Sequence, residues 1–522
     1  MDLENLSAEE MAAIDENADY LGVPRALLME NAGRSVADCV KSRLNVTNKR
    51  IVVFAGLGNK GGDGFVAARH LAVAGAKVTV LLLGEEGRIA TSEARLNWNA
   101  LKNMDHTVKL ITVKDSIALE SIASSLEGVD VTIDALVGTG LRGPLRGLAL
   151  SAVKLMNGLK GLKVAIDIPT GLDAADGRVH GEAFKADLTV TMHKPKKGLL
   201  ENRSYVGELI VADIGIPKEA ELYAGPGDIR LIVKPRKPQT HKYDYGCVLV
   251  IGGSKFYSGA PALAALAALK AGVGLTVVAT PEVVANVVRS YSPNLIVRPL
   301  KGDLLTLKNV SEAAQAMDRA DSIVVGPGLG IEEETFEAFE VVVKEALKRE
   351  LPILIDADGL KALAVKKCKL SSNLSVITPH FAEFKQLTGV EPPQDRGQRM
   401  EVAIKAATDF KATLVLKGHE TIITDGVRVK VNKTGNPGMA VGGTGDVLSG
   451  LIAAFLAQGV EPFKASVAGA FINGLAGDLA AKEKGYQLLA TDLLEKIPII
   501  LRRFQPWVEE YVERVKRLKL DV

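Results

Sequence analysis

Residues 51–83 read IVVFAGLGNKGGDGFVAARHLAVAGAKVTVLLL. Two near-continuous apolar runs, Ile51–Ala55 and Val78–Leu83, flank the helix-period segment Phe65–Ala74. Strands that are apolar on both faces belong inside a parallel sheet, and parallel neighbours need a helical crossover between them. The rhythm continues outward from this stretch. Val131–Ala135, Lys163–Ile168 and Leu188–Met192 read as further strands, Ser92–Lys102 as a helix, and Gly207–Ile216 closes the series. The first half is expected to be an open α/β sheet with helices on both faces.

The stretch Pro217–Lys242 is rich in Pro, Gly and charge and weakly periodic, so the domain boundary is placed inside it. A first domain over 1–219, a linker and domain entry over 220–242, and a second domain over 243–522 are expected. The second half brings another strand–helix series: Cys247–Ile251, Leu275–Ala279, Ser322–Val325, Ile353–Asp356, Ser375–Ile377 and Thr413–Lys417, with the last helices running from Asp446. No short internal period appears, so a solenoid is not supported.

Composition narrows the function. A chain of 522 residues that is 47% hydrophobic can fill two full-size cores. Lys+Arg 64 against Asp+Glu 62 is nearly balanced, which argues against nucleic-acid or membrane-surface binding. Cys39, Cys247 and Cys368 lie far apart with no CxxC, so neither a disulfide framework nor a structural zinc site is expected. The acidic start MDLENLSAEEMAAIDENADY is unlike a signal peptide, and the apolar run Ala260–Leu269 falls short of the roughly 20 residues a membrane span needs. A cytoplasmic protein acting on small molecules is expected.

Gly56, Gly58 and Gly61 match G-x-G-x-x-G between a strand and a helix. That pattern alone fits a tight turn as well as a phosphate loop. Asn59, Lys60 and Asp63 interrupt it, and oxygen-bearing side chains suit a hydrated substrate or a hard cation better than a pyrophosphate. DALVGTGLRG (Asp134–Gly143) and DIPTGLD (Asp167–Asp173) follow later strands. Ligands bind at the carboxyl ends of strands in such sheets, so Asn59, Asp134, Asp167 and Thr170 are expected to converge there.

LMENAGR (Leu28–Arg34), GLGNKGGDG, DALVGTGLRG and DIPTGLD together resemble the N-terminal domain of bifunctional NAD(P)H-hydrate repair enzymes, an epimerase of Rossmann-like, three-layer fold. The resemblance implies interconversion of the R and S forms of NADHX and NADPHX. It implies substrate contacts at Asn59, Lys60, Gly61, Gly62 and Asp63, at Gly138, Thr139, Gly140, Leu141, Arg142, Gly143 and Pro144, and at Asp167. It also implies a potassium ion (K+) near Asn59, Asp134 and Thr170. Epimerisation at a carbinolamine carbon needs a C–O bond loosened and remade, and Asp167 is assigned the acid/base role. Lys194, in MHKPKKG, receives no definite role.

The second half carries three glycine features: VLVIGGSKFYSGA (Val248–Ala260), VVGPGLG (Val324–Gly330) and NPGMAVGGTGDVLSG (Asn436–Gly450). In the last, a glycine-rich turn ends in Asp446 at the mouth of an apolar helix. A helix N-terminus with approachable backbone N–H groups attracts phosphate, so a carboxylate there makes sense as the base that deprotonates a nucleophile beside a transferring phosphoryl group. The helix dipole is expected to keep Asp446 ionised. His380, in TPHFAEFKQL, suits a satisfied loop position as well as a cleft, and Lys417 stands at a strand end well placed for phosphate.

GGTGD is similar to the anion hole and catalytic aspartate of ribokinase-like kinases. With HK…YGCVLVIGGS, GPGLG and TPHFAEF, the longer string looks like the ADP- or ATP-dependent NAD(P)H-hydrate dehydratase domain. The resemblance implies substrate contacts at Ala260, Gly326, His380 and Asp446. It implies nucleotide contacts at Lys417, Gly418, His419, Glu420 and Thr421, and at Asn436, Pro437, Gly438, Met439, Ala440, Val441, Gly442, Gly443, Thr444 and Gly445. ADP or ATP with Mg2+ is the expected phosphoryl donor, and a homo-oligomer is expected. The rival reading is a ribokinase-like small-molecule kinase fused to a ligand-binding regulatory domain.

Overall fold

The computed structural model describes residues 5–141, 143–237, 239–371, 373–509 and 512. The chain divides into two compact units, Met1–Ala220 and Glu221–Val522. In the first, β1 (Arg50–Ala55), β2 (Lys77–Leu83), β3 (Val108–Val113), β4 (Val131–Ala135), β5 (Leu162–Ile166), β6 (Leu188–Met192) and β7 (Glu208–Ala212) form one sheet in the order β3-β2-β1-β4-β5-β6-β7. Every neighbouring pair is parallel. This is the Rossmann-like order, with its reversal between β1 and β4. Val53, Ile133 and Val164 are fully buried on one face and Phe54, Leu81 and Ala165 on the other, which explains why these strands read as continuous apolar runs. Each large aliphatic or aromatic side chain so buried contributes about 1.5–3 kcal/mol.

The second unit holds β8 (Cys247–Ile251), β9 (Leu275–Pro281), β10 (Ile296–Leu300), β11 (Ser322–Val325), β12 (Ile353–Ile355), β13 (Ser375–Ile377), β14 (Thr413–Leu416), β15 (Thr421–Thr424) and β16 (Val429–Asn432). They lie in the order β10-β9-β8-β11-β12-β13-β14-β15-β16. β8 to β14 and β10 pair in parallel, whereas β15 and β16 append an antiparallel edge. Helices Gly259–Lys270 and Thr444–Ala457 pack together over β8 and β11. A Cβ on Gly450 would stand 2.0 Å from the carbonyl oxygen of Ala264, so only glycine permits that approach.

Of the segment 220–242, expected as linker and domain entry, Ala220 ends the first unit and residues 221–242 belong to the second. They contain the helix Pro226–Ile232, whose Ile229 and Ile232 are buried in that unit's core. Its Asp228 pairs with Lys430 of β16 at 2.8 Å. Pro, Gly and charge mark a turn-rich surface here, and the short helix between them is too brief to show a period. Among the described residues no helix is long and apolar enough to cross a membrane.

Candidate active sites

The loops after β1, β4, β5 and β6 all leave the same edge of the first sheet. The glycines after β1 divide by role. A Cβ on Gly56 would stand 2.0 Å from the carbonyl oxygen of Leu136, and one on Gly61 2.0 Å from that of Gly56, so both serve close backbone packing. Gly62 would meet Met29 at 2.6 Å. Gly58, which precedes the helix Asn59–Val73, has nothing within 4 Å of its Cβ position and leaves its N-terminal turn open.

Lys60 turns inward from that turn. Its Nζ donates to Asp134 Oδ2 (2.9 Å), Thr170 Oγ1 (3.1 Å) and the carbonyl oxygens of Ile168 (2.7 Å) and Val137 (3.1 Å). Thr170 is tied to the same carboxylate by its hydroxyl (2.6 Å) and backbone N–H (2.7 Å). Asp134 and Thr170, expected as potassium ligands, are thus brought together, but around an ammonium group. Asn59, the third expected ligand, stands exposed at the helix start. Lys60 itself, expected as a substrate contact, has its buried side chain engaged elsewhere. Burial lowers its pKa while Asp134 opposes the shift.

Asp167 follows β5 with φ +61°, and the Ile168 N–H donates to the Ile166 carbonyl at 2.7 Å. This is a γ-turn of the rare positive-φ kind, a strained conformation that persists only where its surroundings enforce it. His193 repeats it after β6, with φ +63° and a Lys194 N–H to Met192 carbonyl bond of 2.7 Å. The second turn delivers Lys196, only 1% exposed, whose Nζ donates to Asp167 Oδ1. Thr191 Oγ1 (3.1 Å) and the Met192 N–H (3.4 Å) donate to the same oxygen. Burial alone would raise Asp167, but Lys196 and these donors hold it below the usual carboxylate range. Asp63 goes the other way: burial, with Asp167 and Asp15 nearby, pushes it well up. Asp15, on the helix Ala8–Tyr20, is raised by burial to about 6 against the pull of Lys196 and Arg25. One carboxyl driven up and one held low therefore stand at the same edge.

The loop Gly138–Pro144 follows β4 along this edge. Gly138 lies beside the Lys60 stem, while Thr139, Gly140, Leu141, Gly143 and Pro144 are partly or fully exposed. Arg142 lies outside the described residues.

In the second unit the strand order reverses between β8 and β11. Gly326, after β11, has φ +125°, and a Cβ there would stand 1.9 Å from the Asp356 carbonyl oxygen. Two residues on, a Cβ built on Gly328 would stand 2.7 Å from the Tyr257 Cβ and 3.5 Å from that of Ala260. Asp356, after β12, is 2% exposed; its Oδ1 accepts from Lys417 Nζ (2.9 Å) and its Oδ2 from Ser449 Oγ (2.7 Å). Burial opposes ionisation of Asp356, yet Lys417 holds its pKa low; Lys417 in turn is raised by Asp356 and Glu383 despite burial.

The helix Thr444–Ala457 brings Asp446, its third residue, beside this pair. Gly443 supplies the left-handed N-cap, φ +98°. Gly442 has nothing within 4 Å of its Cβ position, and a Cβ on Gly445 would be 3.5 Å from Lys417 Nζ and 3.8 Å from Asp356 Oδ2. The turn is open on one side and backed by a fixed cation on the other. Asp446 departs from expectation. Burial, reinforced by Asp356 and Asp358 and partly offset by Lys417, pushes it up to about 8, so the dipole does not keep it ionised at neutral pH. The dipole's effect is confined to a partly charged helix end, whereas two carboxylates act nearby as whole charges.

Other expected contacts are placed as follows. His380 caps the helix Phe381–Thr388, its Nδ1 accepting from the Glu383 N–H (3.2 Å), with the ring exposed and a backbone bridge to Lys417. Glu420 is drawn away to Arg396 (3.2 Å) and Arg399 (3.7 Å), Thr421 opens β15, and Gly418 and His419 are exposed. Asn436 caps the turn Pro437–Met439 and binds Asp478 (3.0 Å), and Met439 fills the space over Gly477. Asn436 to Met439 thus brace the turn, Ala440 and Val441 lead into it, and Thr444 Oγ1 ties it back to the Met439 carbonyl oxygen (3.1 Å).

Residues 248–499 match the family described as NAD(P)H-hydrate dehydratase, and residues 25–198 that described as YjeF-related protein N-terminus. The bifunctional NAD(P)H-hydrate repair enzyme Nnr of Pyrobaculum aerophilum is 46% identical over 96% of this chain and 99% of its own. The chain belongs to the bifunctional NAD(P)H-hydrate repair enzyme family. Its counterpart from Hyperthermus butylicus is 44% identical over 94% of this chain and 91% of its own. Among solved structures, the ADP/ATP-dependent NAD(P)H-hydrate dehydratase of Bacillus subtilis, co-crystallised with ATP/Mg2+, is 28% identical over 54% of this chain and 98% of its own, with a TM-score of 0.47.

Within this repair-enzyme chain, sequence reasoning missed Lys196, Asp15 and Asp356. Lys196 stands two residues from Lys194, and nothing in MHKPKKG distinguishes a buried lysine from a solvated one. Asp356 did carry a signal, an aspartate directly after an apolar strand in ILIDADG.

Proposed function

We propose that the first unit equilibrates the R and S hydrates of NADH and NADPH. The second dehydrates the S hydrate by phosphoryl transfer from ADP or ATP, releasing phosphate and AMP or ADP. The observation that carries this reading is Asp446 in the first turn of a helix behind an open glycine turn, against the Lys417–Asp356 pair.

In the first unit, Asp63, driven up by burial, is suited to give a proton, and Asp167, held low by Lys196, to receive one. Such a pair suits departure and return of a hydroxyl at a carbinolamine carbon, since each step needs one proton moved. All three donors described at Asp167 fall on Oδ1, so Oδ2 carries none of them. The potassium ion implied for Asn59, Asp134 and Thr170 does not fit, because Lys60 Nζ fills that oxygen cluster.

In the second unit, Asp446 accepts the proton of the substrate hydroxyl as its oxygen takes the terminal phosphoryl group. N–H groups of the turn Gly442–Gly445 stabilise the charge of the group in transfer, with Lys417 behind them. A hydroxide is a poor leaving group and phosphate a good one, so the ring nitrogen then expels phosphate, and proton loss from the neighbouring carbon restores the dihydronicotinamide. Magnesium accompanies ATP in the Bacillus enzyme and would supply charge neutralisation between phosphate oxygens here.

The test is an absorbance assay on mixed hydrate epimers with ADP or ATP. Inorganic phosphate and dihydronicotinamide should appear together. Accumulation of a stable phosphorylated alcohol would instead identify a small-molecule kinase.

A further inference from the structure

The oxygen cluster beneath the first glycine loop has the make-up of a monovalent-cation site: one carboxylate, one hydroxyl and two backbone carbonyls. Hard cations are held by such mixed oxygen sets. Asp134 is fully buried, and a buried carboxylate without a positive partner is costly. Here that partner comes from within the chain. Lys60 Nζ is 2.7–3.1 Å from all four oxygens. An ammonium group and a potassium ion are similar in size and carry the same charge. The Lys60 side chain is held inside, only 6% exposed.

We propose that Lys60 is a built-in replacement for a monovalent cation, so that the first unit binds no potassium at Asp134 and Thr170 and works without it. The two cations exclude each other. Both would occupy the same ligand shell, and two like charges in contact inside a buried pocket repel strongly. Asn59 fits this arrangement: with the cluster closed by Lys60, its side chain stands exposed instead of turning inward. The functional arm of the proposal rests on the epimerase reading above; the ion-binding arm does not.

The experiment compares the full-length wild type with Lys60→Asn, which exchanges the ammonium for a neutral oxygen ligand and frees space for an ion. Crystals of each are soaked in rubidium and read by anomalous scattering. Melting temperature and R/S interconversion are measured in potassium and in choline at equal ionic strength. Wild type should show no rubidium peak at the cluster, the same melting temperature in both salts, and rates within about twofold of each other. Lys60→Asn should show the peak, melt higher in potassium, and lose interconversion by at least about tenfold in choline, with recovery in potassium.

A rubidium peak beside Asp134 and Thr170 in the wild type, or a wild type that needs potassium, overturns the proposal. So does a folded Lys60→Asn that neither binds rubidium nor responds to potassium. If the variant does not fold, the wild-type measurements decide alone. An absence of interconversion under all conditions, with the ion-binding results as expected, would sink the epimerase reading and leave the lysine assignment standing.

Discussion

At single residues, the chemistry turns on carboxyls whose pKa values are driven apart. Asp446, pushed to about 8 from an ordinary 3.8, must lose its proton to act as a base. The kcat/KM of dehydration should therefore rise with pH and level off above about 8, because this parameter reports the free enzyme. A flat profile between about pH 6 and pH 9 would remove Asp446 from that role. The same shift has a stability consequence of definite sign. The folded state holds this proton more tightly than the unfolded chain, so stability is fullest below about 4 and falls as pH climbs towards 8. Asp446→Asn should abolish dehydration, spare epimerisation, and melt higher than wild type at pH 8 while matching it near pH 4. The gain is at most a few kcal/mol. Asp167 is held low, so its base form survives in mild acid, and epimerisation should persist at pH values where dehydration has stopped. Asp167→Ala should leave the S hydrate repairable and strand the R hydrate. Following both epimers chromatographically checks this, and equal loss of both would contradict the division of labour.

At the level of elements, glycines of similar appearance do different things. Gly61→Ala and Gly326→Ala would force a Cβ to within 2.0 Å and 1.9 Å of a backbone oxygen, so each should destabilise by about 3 kcal/mol or more. Gly442→Ala meets nothing within 4 Å and should fold normally while raising the KM for the nucleotide, since its methyl stands where the turn is open. Melting curves and nucleotide titrations separate the two classes. The sequence alone could not. G-x-G-x-x-G is equally a packing pattern and a binding pattern, and only the neighbouring strand shows which glycine faces backbone. Strands buried on both faces were legible from their apolar runs, as in β1, β4 and β8. Those without that signature were not: β3, VKLITV, exposes Lys109 and Thr112, β10 carries Arg298 and Pro299, and β15 (TIIT) and β16 (VKVN) set polar residues into their short runs. Glycine-turn positions and strand-end aspartates pointed to both sites. Ionisation did not follow from them, because the direction of a shift depends on neighbours as distant in sequence as Asp356 is from Asp446.

For the whole molecule, the boundary between units is a statement about cores and can be tested as one. The helix Lys218–Leu222 is where the chain passes from one to the other: Ala220 is buried in the first core, while Leu222 and Tyr223 pack against the second. A fragment of residues 1–220 should fold and equilibrate the R and S hydrates, and one of residues 221–522 should dehydrate the S hydrate. A fragment beginning at residue 243, where the Pro- and Gly-rich stretch ends, should fare much worse. It loses Ile229 and Ile232 from the core and the Asp228 partner of Lys430, whose side chain is only 14% exposed. Emptying a buried isoleucine site costs about 2–5 kcal/mol, and a domain's whole stability is about 5–15 kcal/mol. Two such sites and an unpaired lysine together approach that margin, so the shorter fragment should be insoluble or melt far below residues 221–522. Equal melting temperatures would mean that the stretch 221–242 is a tether after all, and that its buried isoleucines add little to the core they touch.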